Sequence, residues 1–525
     1  MDIASMISSG RTSLGIEFGS TRIKGVLLDE SHTIVAQADR EWSDHLENGW
    51  WSYSLDEAFS LLREVYLDIK TQVEKTYGCP LKKIGTIGIS GMMHGFLPFD
   101  ENDKQLCEFR TWRNTKTAEA SAFLSKLFSF NIPQRWSIAH LCQSILNKES
   151  FDKDISSMFT LSEYVHYRLT GLKVAGRGEA SGMFPLGEDG EYEKNMMASF
   201  DSLLKECNYK FRLEDILPKV LCSGENAGYL TEDGAKLLDP SGTLNSGIPF
   251  CPPEGDAGTG MVATNSVSVN TGNISAGTSI FLMACLSKPL KEIHPEIDVV
   301  ATPDGKPVAM VHCNTCTSDL DDWVRLFGEF ASKNGMKMDK SQLYSFFYQQ
   351  ALNAEKDCGG LLNYNCFSGE PVCGFSDGRP LFVRKADSKF DIQNFYRSLL
   401  YSSLVGIRLG LDIMAKEGIH LDSIVGNGGM FKSPVAACSI LSGAFHTKVG
   451  VMKTSGEGGP WGMALLAEYS RKGQGLSLEK YLDGCFKEKP SFIEPSKEEE
   501  EGFDEYLRRY KAASVLEKEA PSALK

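Results

Sequence analysis

No stretch of this 525-residue sequence supplies the ~20 consecutive apolar residues of a membrane-spanning helix. The opening MDIASMISSGRTS carries no apolar core for a secretory leader. Basic charge is in deficit, with 55 Lys and Arg against 69 Asp and Glu and a net charge of -14. That balance argues against a general nucleic-acid binder or a membrane-surface protein, both of which need a basic face. It does not argue against a phosphorylated ligand, because a few backbone amides and one divalent cation outweigh the global field locally. Also missing are GxxxxGK[ST], the HRD…DFG pair, GxSxG and HExxH, which counts against P-loop, protein-kinase, serine-hydrolase and zincin chemistry. The 14 Cys are scattered through the chain rather than packed into a small framework, so free thiols in a reducing cytosol are expected. Cys313 and Cys316, in HCNTC, have CxxC spacing, but no second pair completes a four-ligand zinc set around them and His312; buried thiols are expected there.

What is present is ordinary globular usage, 42% hydrophobic and 24% charged. The length suggests two to four domains of about 100–200 residues. Leu14–Phe18 reads as a strand that stops at Gly19-Ser20-Thr21 and resumes over Ile23–Leu28. Ser54–Glu74 places Leu55, Ala58, Leu61, Leu62, Val65 and Ile69 at helical spacing, and Ile84–Ser90 reads as a strand. Further helices are expected over Thr115–Phe128 and Ser137–Leu146. The segment Ser241–Gly260 is rich in Gly and Pro and reads as a seam between two domains. Beyond it, Ser266–Leu286 repeats the strand, turn, strand pattern around Gly277-Thr278-Ser279, an internal echo of the first hairpin. The second half continues with a helix over Ile392–Glu417, a strand over Leu421–Val425 and a Gly turn, Gly426–Gly429. A helix near Ser433–Ser442, a second Gly turn over Ser455–Gly459 and a helix over Trp461–Tyr469 follow. The charged run Lys497–Glu501 is expected to be a solvated helix face or a frayed end.

Glycine beside a strand end lets backbone N–H groups approach phosphate oxygens with no Cβ in the way, although each such turn alone is equally a plain turn. Two carboxylates stand out by context. Glu17 immediately precedes the first Gly turn, and Asp256 sits between glycines in Glu254-Gly255-Asp256-Ala257-Gly258, where a turn cap is the alternative role. His94 ends a strand in Ser90-Gly91-Met92-Met93-His94-Gly95, as a ligand group or as a structural histidine.

Taken together and in order, these segments resemble the FGGY carbohydrate kinases, the family of xylulose, ribulose, gluconate and glycerol kinases, from about Ser13 to Arg471. Glu17–Lys24 is similar to the family's first phosphate hairpin, and Ser90–Gly95 to the xylulokinase sugar segment. Arg110–Thr115 is similar to the Trp-containing sugar segment, and Gly255-Asp256 to the site of the catalytic base. Gly277-Thr278-Ser279 is similar to the second phosphate hairpin, Phe367–Glu370 to the Ser-Gly-Glu segment, and Gly428-Gly429 to the adenosine-side loop. Three positions depart from the family: Glu17 where Asp is common, Asn114 where Asp is frequent, and His140 where xylulokinases often carry Lys.

The resemblance implies an α/β fold of two actin-like, ribonuclease-H-type domains, with ATP and sugar meeting in the cleft between them. The expected boundaries are a sugar-binding domain over 12–258, a nucleotide-binding domain over 259–472 and a charged extension over 473–525. The implied chemistry is ATP-dependent phosphorylation of a sugar hydroxyl, with a ketopentose such as xylulose or ribulose as acceptor. Another polyol, a hexulose, a tetrulose or a signalling sugar is the alternative within the family, and an actin-like ATPase the alternative outside it. Asp256 is the implied base, and Glu17 with Asp256 the implied Mg²⁺ site. Met93, His94, Trp112, Asn114 and Asp256 are the implied sugar contacts. Gly19, Ser20, Thr21, Lys24, Gly277, Thr278, Gly428 and Gly429 are the implied ATP contacts. Expected partners are the sugar and ATP, with no nucleic acid and no membrane. A homodimer is left open, and the expected location is the cytoplasm.

Overall fold

Residues 2–452, 458–473 and 475–524 are described by a computed structural model. Of the Gly turn expected over Ser455–Gly459, Ser455, Gly456 and Glu457 lie outside the described residues.

The chain divides into two compact units. The first comprises Met1–Val267, Asp298–Val308 and Glu457–Lys487; the second comprises Ser268–Ile297, Ala309–Gly456 and Glu488–Lys525. The Gly/Pro-rich segment Ser241–Gly260, expected as a seam, lies inside the first unit. It supplies that unit with the strand Glu254–Gly255 and the start of the helix Asp256–Ala263.

In the first unit the main sheet is built from β1 (Thr12–Phe18), β2 (Arg22–Asp29), β3 (Ile34–Glu41), β4 (Thr86–Gly91) and β5 (Glu254–Gly255). They form one sheet in the order β5-β4-β1-β2-β3. β1, β2 and β3 are antiparallel neighbours, whereas β4 runs parallel to β1 and β5 parallel to β4. The return from β3 to β4, which run in the same direction, needs a crossover, and the helix Leu55–Tyr77 provides it. Ser54 caps that helix by accepting from Glu57 N, and Gly78 ends it in the left-handed region. Its face of Ala58, Phe59, Leu62, Val65, Tyr66, Ile69 and Val73 is buried, each large side chain contributing roughly 1.5–3 kcal/mol of transfer free energy. The helix Gly458–Lys472 also packs against this sheet. It lies so close that a Cβ on Gly15 of β1 would meet Pro460 O at 2.1 Å.

The second unit repeats the plan. Its main sheet includes β6 (Thr271–Ala276), β7 (Ile280–Cys285), β8 (Pro307–Cys313), β9 (Ser423–Asn427), β10 (Val449–Val451) and β11 (Ser491–Ile493), in the order β8-β7-β6-β9-β10-β11. The hairpin β6–β7 is antiparallel, and β9 and β10 add in parallel beside β6. The order β3-β2-β1-β4-β5 thus recurs as β8-β7-β6-β9-β10, so the echo seen in the sequence is an echo of topology.

Two expectations need amending. The 25-residue helix Ile392–Lys416 is long and apolar enough, by length and composition, to cross a bilayer. Here it is a core element, with Tyr396, Leu399, Leu400, Leu404 and Ile407 buried among the second unit's apolar side chains. The run Lys497–Glu501 is not frayed. It opens the helix Lys497–Ala523, capped by Ser496, whose Phe503, Tyr506, Leu507 and Tyr510 are buried in the same core. Glu499 pairs there with the buried Arg397 and with Lys356, which explains a charged start to an apolar-faced helix. All 14 cysteines are free thiols. Cys313 and Cys316 are buried in that core, and burial pushes both thiols up, Cys316 to about 12.

Candidate active site

In the first unit the site grows from one row of the sheet. Register aligns Lys24 of β2 with Glu17 of β1, Glu17 with Ser90 of β4, and Ser90 with Glu254 of β5. Registered neighbours put their side chains on the same face, so two carboxylates, a hydroxyl and an ammonium share one edge-to-edge line. Just past that row the chain turns from Gly255 into the helix Asp256–Ala263, with Asp256 in its first turn, where the helix dipole favours an anion. Asp256 Oδ1 accepts from Met93 N at 3.3 Å, which joins the expected base to the expected sugar segment.

Burial pushes Asp256 up to about 6, opposed by the amides of Met93 and Ala257. Burial, then the charge of Asp256, pushes Glu17 up to about 7, opposed by Lys24. Two buried carboxylates that disfavour each other's charge form a hard, all-oxygen donor pair for a divalent cation that keeps most of its waters. Mg²⁺ therefore fits Glu17 and Asp256. Glu17 also has a spatial requirement: a Cβ on Gly459 would lie 1.5 Å from its Oε2.

The turn Gly19–Thr21 is built by aromatic side chains that the sequence reading did not single out. Trp42 Nε1 donates to Gly19 O at 2.7 Å, Tyr53 OH to Ser20 O at 2.7 Å, and Trp42 N to Thr21 O at 3.2 Å. In a trans peptide the carbonyl of one residue and the N–H of the next point in opposite directions. With the Gly19 and Ser20 carbonyls held by the aromatic pair, the amides of Ser20 and Thr21 face the other way, as an anion cradle requires.

The second unit uses the same device. Thr317 N donates to Gly277 O at 3.0 Å and Cys316 N to Thr278 O at 2.8 Å, so the amides of Thr278 and Ser279 are turned outward. A Cβ on Gly277 would meet nothing nearer than 4.0 Å, so no protein atom demands glycine there. Gly428 is different. Its φ is +96°, and a Cβ would strike Ala276 O at 2.5 Å, whereas Gly429 faces open space. Glu370 of the Ser-Gly-Glu segment accepts from Asn314 N at 2.8 Å and is pushed up to about 7 by burial.

The sugar-side residues separate into two groups. His94 is buried, holds φ +69°, stacks on Trp136 and bonds Gly182 O through Nδ1 at 3.0 Å. A carbonyl can only accept, so Nδ1 carries the proton. Met93 is buried beside it, and Trp112, 36% exposed, donates from Nε1 to Ser20 Oγ at 3.3 Å. Asn114 is engaged within the protein. Its Oδ1 accepts from Trp51 N at 2.8 Å, and its Nδ2 donates to Trp51 O and Thr111 O at 2.9 and 3.0 Å. That amide holds the Trp112 loop to Trp51, the task an Asn performs where backbone lacks its own partner. His140 is fully buried between Trp50 and Phe96 and pushed down to about 3 by burial.

The N-terminal domain of the FGGY family of carbohydrate kinases matches residues 12–263, and its C-terminal domain matches residues 272–471. The chain belongs to the FGGY family of carbohydrate kinases. It is an ATP-dependent kinase of the FGGY type, and the solved structures agree with that fold. A xylulose kinase from Brucella ovis aligns with a TM-score of 0.78 over 98% of this chain and 100% of its own, at 18% identity. A Plasmodium falciparum glycerol kinase with ADP aligns at 0.75 over 95% and 98%, at 17% identity. Among curated relatives, the xylulose kinase of Haemophilus influenzae is 22% identical over 80% of this FGGY kinase and 83% of its own length.

The residues that sequence reasoning missed, Trp42, Tyr53, Gly182, Glu254 and Gly459, act through backbone bonds or through space left open. Only the paired Trp and Tyr after the first hairpin leave a visible trace in the sequence.

Proposed function

We propose that this FGGY kinase phosphorylates a ketopentose, with xylulose as the first acceptor to test. Asp256 takes the proton of the attacking hydroxyl, because Asp256 Oδ1 lies on Met93 N beside the fixed His94 ring; that observation carries the reading. With a proton on His94 Nδ1, Nε2 accepts from a sugar hydroxyl while Met93 and Trp112 supply apolar contact. Phosphoryl transfer asks mainly for alignment and charge stabilisation. The outward amides of Ser20 and Thr21, with Gly19 and Lys24 beside them, receive phosphate oxygens in the first unit. Gly277 and Thr278 receive them in the second, and Gly428 with Gly429 admits the nucleotide. Glu17 and Asp256 would hold Mg²⁺, which supplies charge neutralisation of the phosphates. Support for a ketopentose comes from the xylulose kinase names among its relatives, and the acidic chain of free thiols suits a cytoplasmic enzyme.

The test is a coupled ADP-release screen over ketoses, polyols and aldonates, with size-exclusion scattering to settle whether the enzyme is a homodimer. Turnover should be highest on xylulose or ribulose. A higher kcat/KM on a polyol, hexulose or aldonate reassigns the acceptor, and ADP release indifferent to every sugar overturns the kinase reading in favour of an ATPase.

A further inference from the structure

Glu254 is a carboxylate with 1% exposure, two residues before the base and within the first sheet. Keeping such a group in a core is costly unless its geometry is used. Its Oε2 accepts from Glu179 N at 3.1 Å, in the short helix Arg177–Ala180. The fit is close: a Cβ on Gly178 would lie 2.4 Å from Glu254 Oε2, while its next neighbour outside the Glu254 side chain, Ala301 O, stands at an ordinary 3.5 Å.

Each end of this contact leads to a different part of the acceptor site. Along β5, Glu254 continues through Gly255 to Asp256. Gly255 is itself confined, since a Cβ there would lie 2.4 Å from Glu179 Oε2 and 2.9 Å from Met93 Cγ. Along the other chain, the short helix passes through Ser181, whose Oγ donates to Gly178 O at 2.6 Å, to Gly182. The Gly182 carbonyl then accepts a hydrogen bond from His94 Nδ1. One carboxylate thus bridges the segment that carries the base and the segment that anchors the sugar-reading imidazole.

We propose that Glu254 is a positioning residue for the kinase reaction, setting Asp256 and His94 in register by clamping β5 to the helix Arg177–Ala180. This inference rests on the roles given above to Asp256 and His94.

The experiment is a double-mutant cycle built on the Gly178 contact. In Gly178→Ala the new methyl can be accommodated only if the Glu254 carboxylate moves by about 1 Å, a displacement that can reduce turnover about 10²-fold at a reacting centre. The expected result is a ten- to hundredfold lower kcat/KM for D-xylulose, with affinity for a non-hydrolysable ATP analogue unchanged. Glu254→Ala should show a similar loss. The double variant should be no worse than Glu254→Ala alone, because the clash has no partner left. Glu254→Gln should stay within about threefold of wild type, since its amide oxygen can accept from Glu179 N. Melting temperatures of all four variants identify any that merely unfold, and Glu254→Gln, close to isosteric, remains informative if the alanine variants do.

A second readout needs no turnover. In protein labelled with ¹⁵N-histidine, the His94 ring signals, assigned by their loss in His94→Gln, should move in Gly178→Ala and stay in place in Glu254→Gln. If wild type phosphorylates no sugar, the functional reading has failed and the ring signals alone decide the clamp. Additive losses in the cycle, an unmoved His94 signal in Gly178→Ala, or Glu254→Gln as damaged as Glu254→Ala would each overturn the proposal.

Discussion

Gly459→Ala adds one carbon and two hydrogens to the helix Gly458–Lys472, and should disable the kinase while leaving it folded. The ideal Cβ would lie 1.5 Å from Glu17 Oε2, 2.7 Å from its Cδ and 3.0 Å from Thr259 Oγ1. Restoring ordinary contact with Glu17 requires a shift of about 2 Å, given optimal carbon separations of about 3.5–4.0 Å. The helix cannot easily yield, because Pro460 O already stands where a Cβ on Gly15 would be. Glu17 must therefore swing away from this helix and out of its present position. A misplacement of 1 Å can lower turnover about 10²-fold, or about 2.7 kcal/mol of barrier, so kcat should fall at least that far. If Glu17 holds Mg²⁺, the half-saturating Mg²⁺ concentration should rise in the same variant. Alanine is the better helix former by about 0.5–1 kcal/mol, so any lowering of the melting temperature reports the clash rather than propensity. Glu17→Asp withdraws the carboxylate by one methylene and should recover part of the loss in combination with Gly459→Ala. The assay is coupled ADP release at saturating ATP and acceptor across a Mg²⁺ titration. A folded Gly459→Ala enzyme with kcat and Mg²⁺ requirement within about threefold of wild type would refute the placement of Glu17.

Asp256→Asn should lower kcat by about 10²–10⁴ with sugar binding retained by calorimetry; in wild type, kcat/KM should fall on the acid side with a midpoint near 6, where Asp256 takes its proton. Gly277→Val should weaken binding of an ATP analogue with little change in melting temperature, since its Cβ meets no atom within less than 4.0 Å; equal loss of stability and affinity would count against a phosphate role. His94→Ala should raise the sugar KM about 5–150-fold with ATP affinity unchanged, the consequence of a hydroxyl left unpaired. Glu163 accepts from Thr160 N at 2.7 Å and is pushed by burial up to about 8. The folded protein therefore keeps a proton that the unfolded chain has lost, and stability present in acid should decline as pH rises towards 8. Glu163→Gln should flatten that decline in melting temperature measured from pH 5 to pH 9.

The parts legible in the sequence are those that depend on local pattern. Hairpin strands flanking Gly19–Thr21 and Gly277–Ser279 and the Ser54-capped helix sit where alternation, glycine turns and capping put them. What escaped was set by partners far along the chain. Asn114 was expected as a sugar contact from its place in the Trp-containing segment, and the engagement of its amide by Trp51, 63 residues away, left no trace in the sequence. In Lys497–Glu501, Lys497, Glu498 and Glu501 are exposed as a solvated face requires, whereas Glu499 is buried on Arg397, 102 residues away, which the charge run could not announce. Gly178 and Gly459 looked like ordinary small residues. What each leaves room for, Glu254 and Glu17, lies 76 and 442 positions away by residue number.

The two hairpins show why phosphate binding was easier to read than acceptor choice. In each unit the turn's carbonyls are tied down by donors behind it, Trp42 and Tyr53 in the first and the start of the helix Thr317–Lys333 in the second. The outward amides then belong to the backbone and tolerate any side chain that preserves the turn, so a short glycine pattern is enough to announce them. Acceptor recognition has no such backbone signature. On the roles proposed above, it would depend on a tautomer fixed by Gly182 O and on a base whose strand is held by Glu254. A change of preferred sugar should accordingly map to residues 91–96, 110–114 and 176–183 of the first unit, and grafting those segments between two FGGY kinases of different acceptor should exchange preference while leaving the KM for ATP in place.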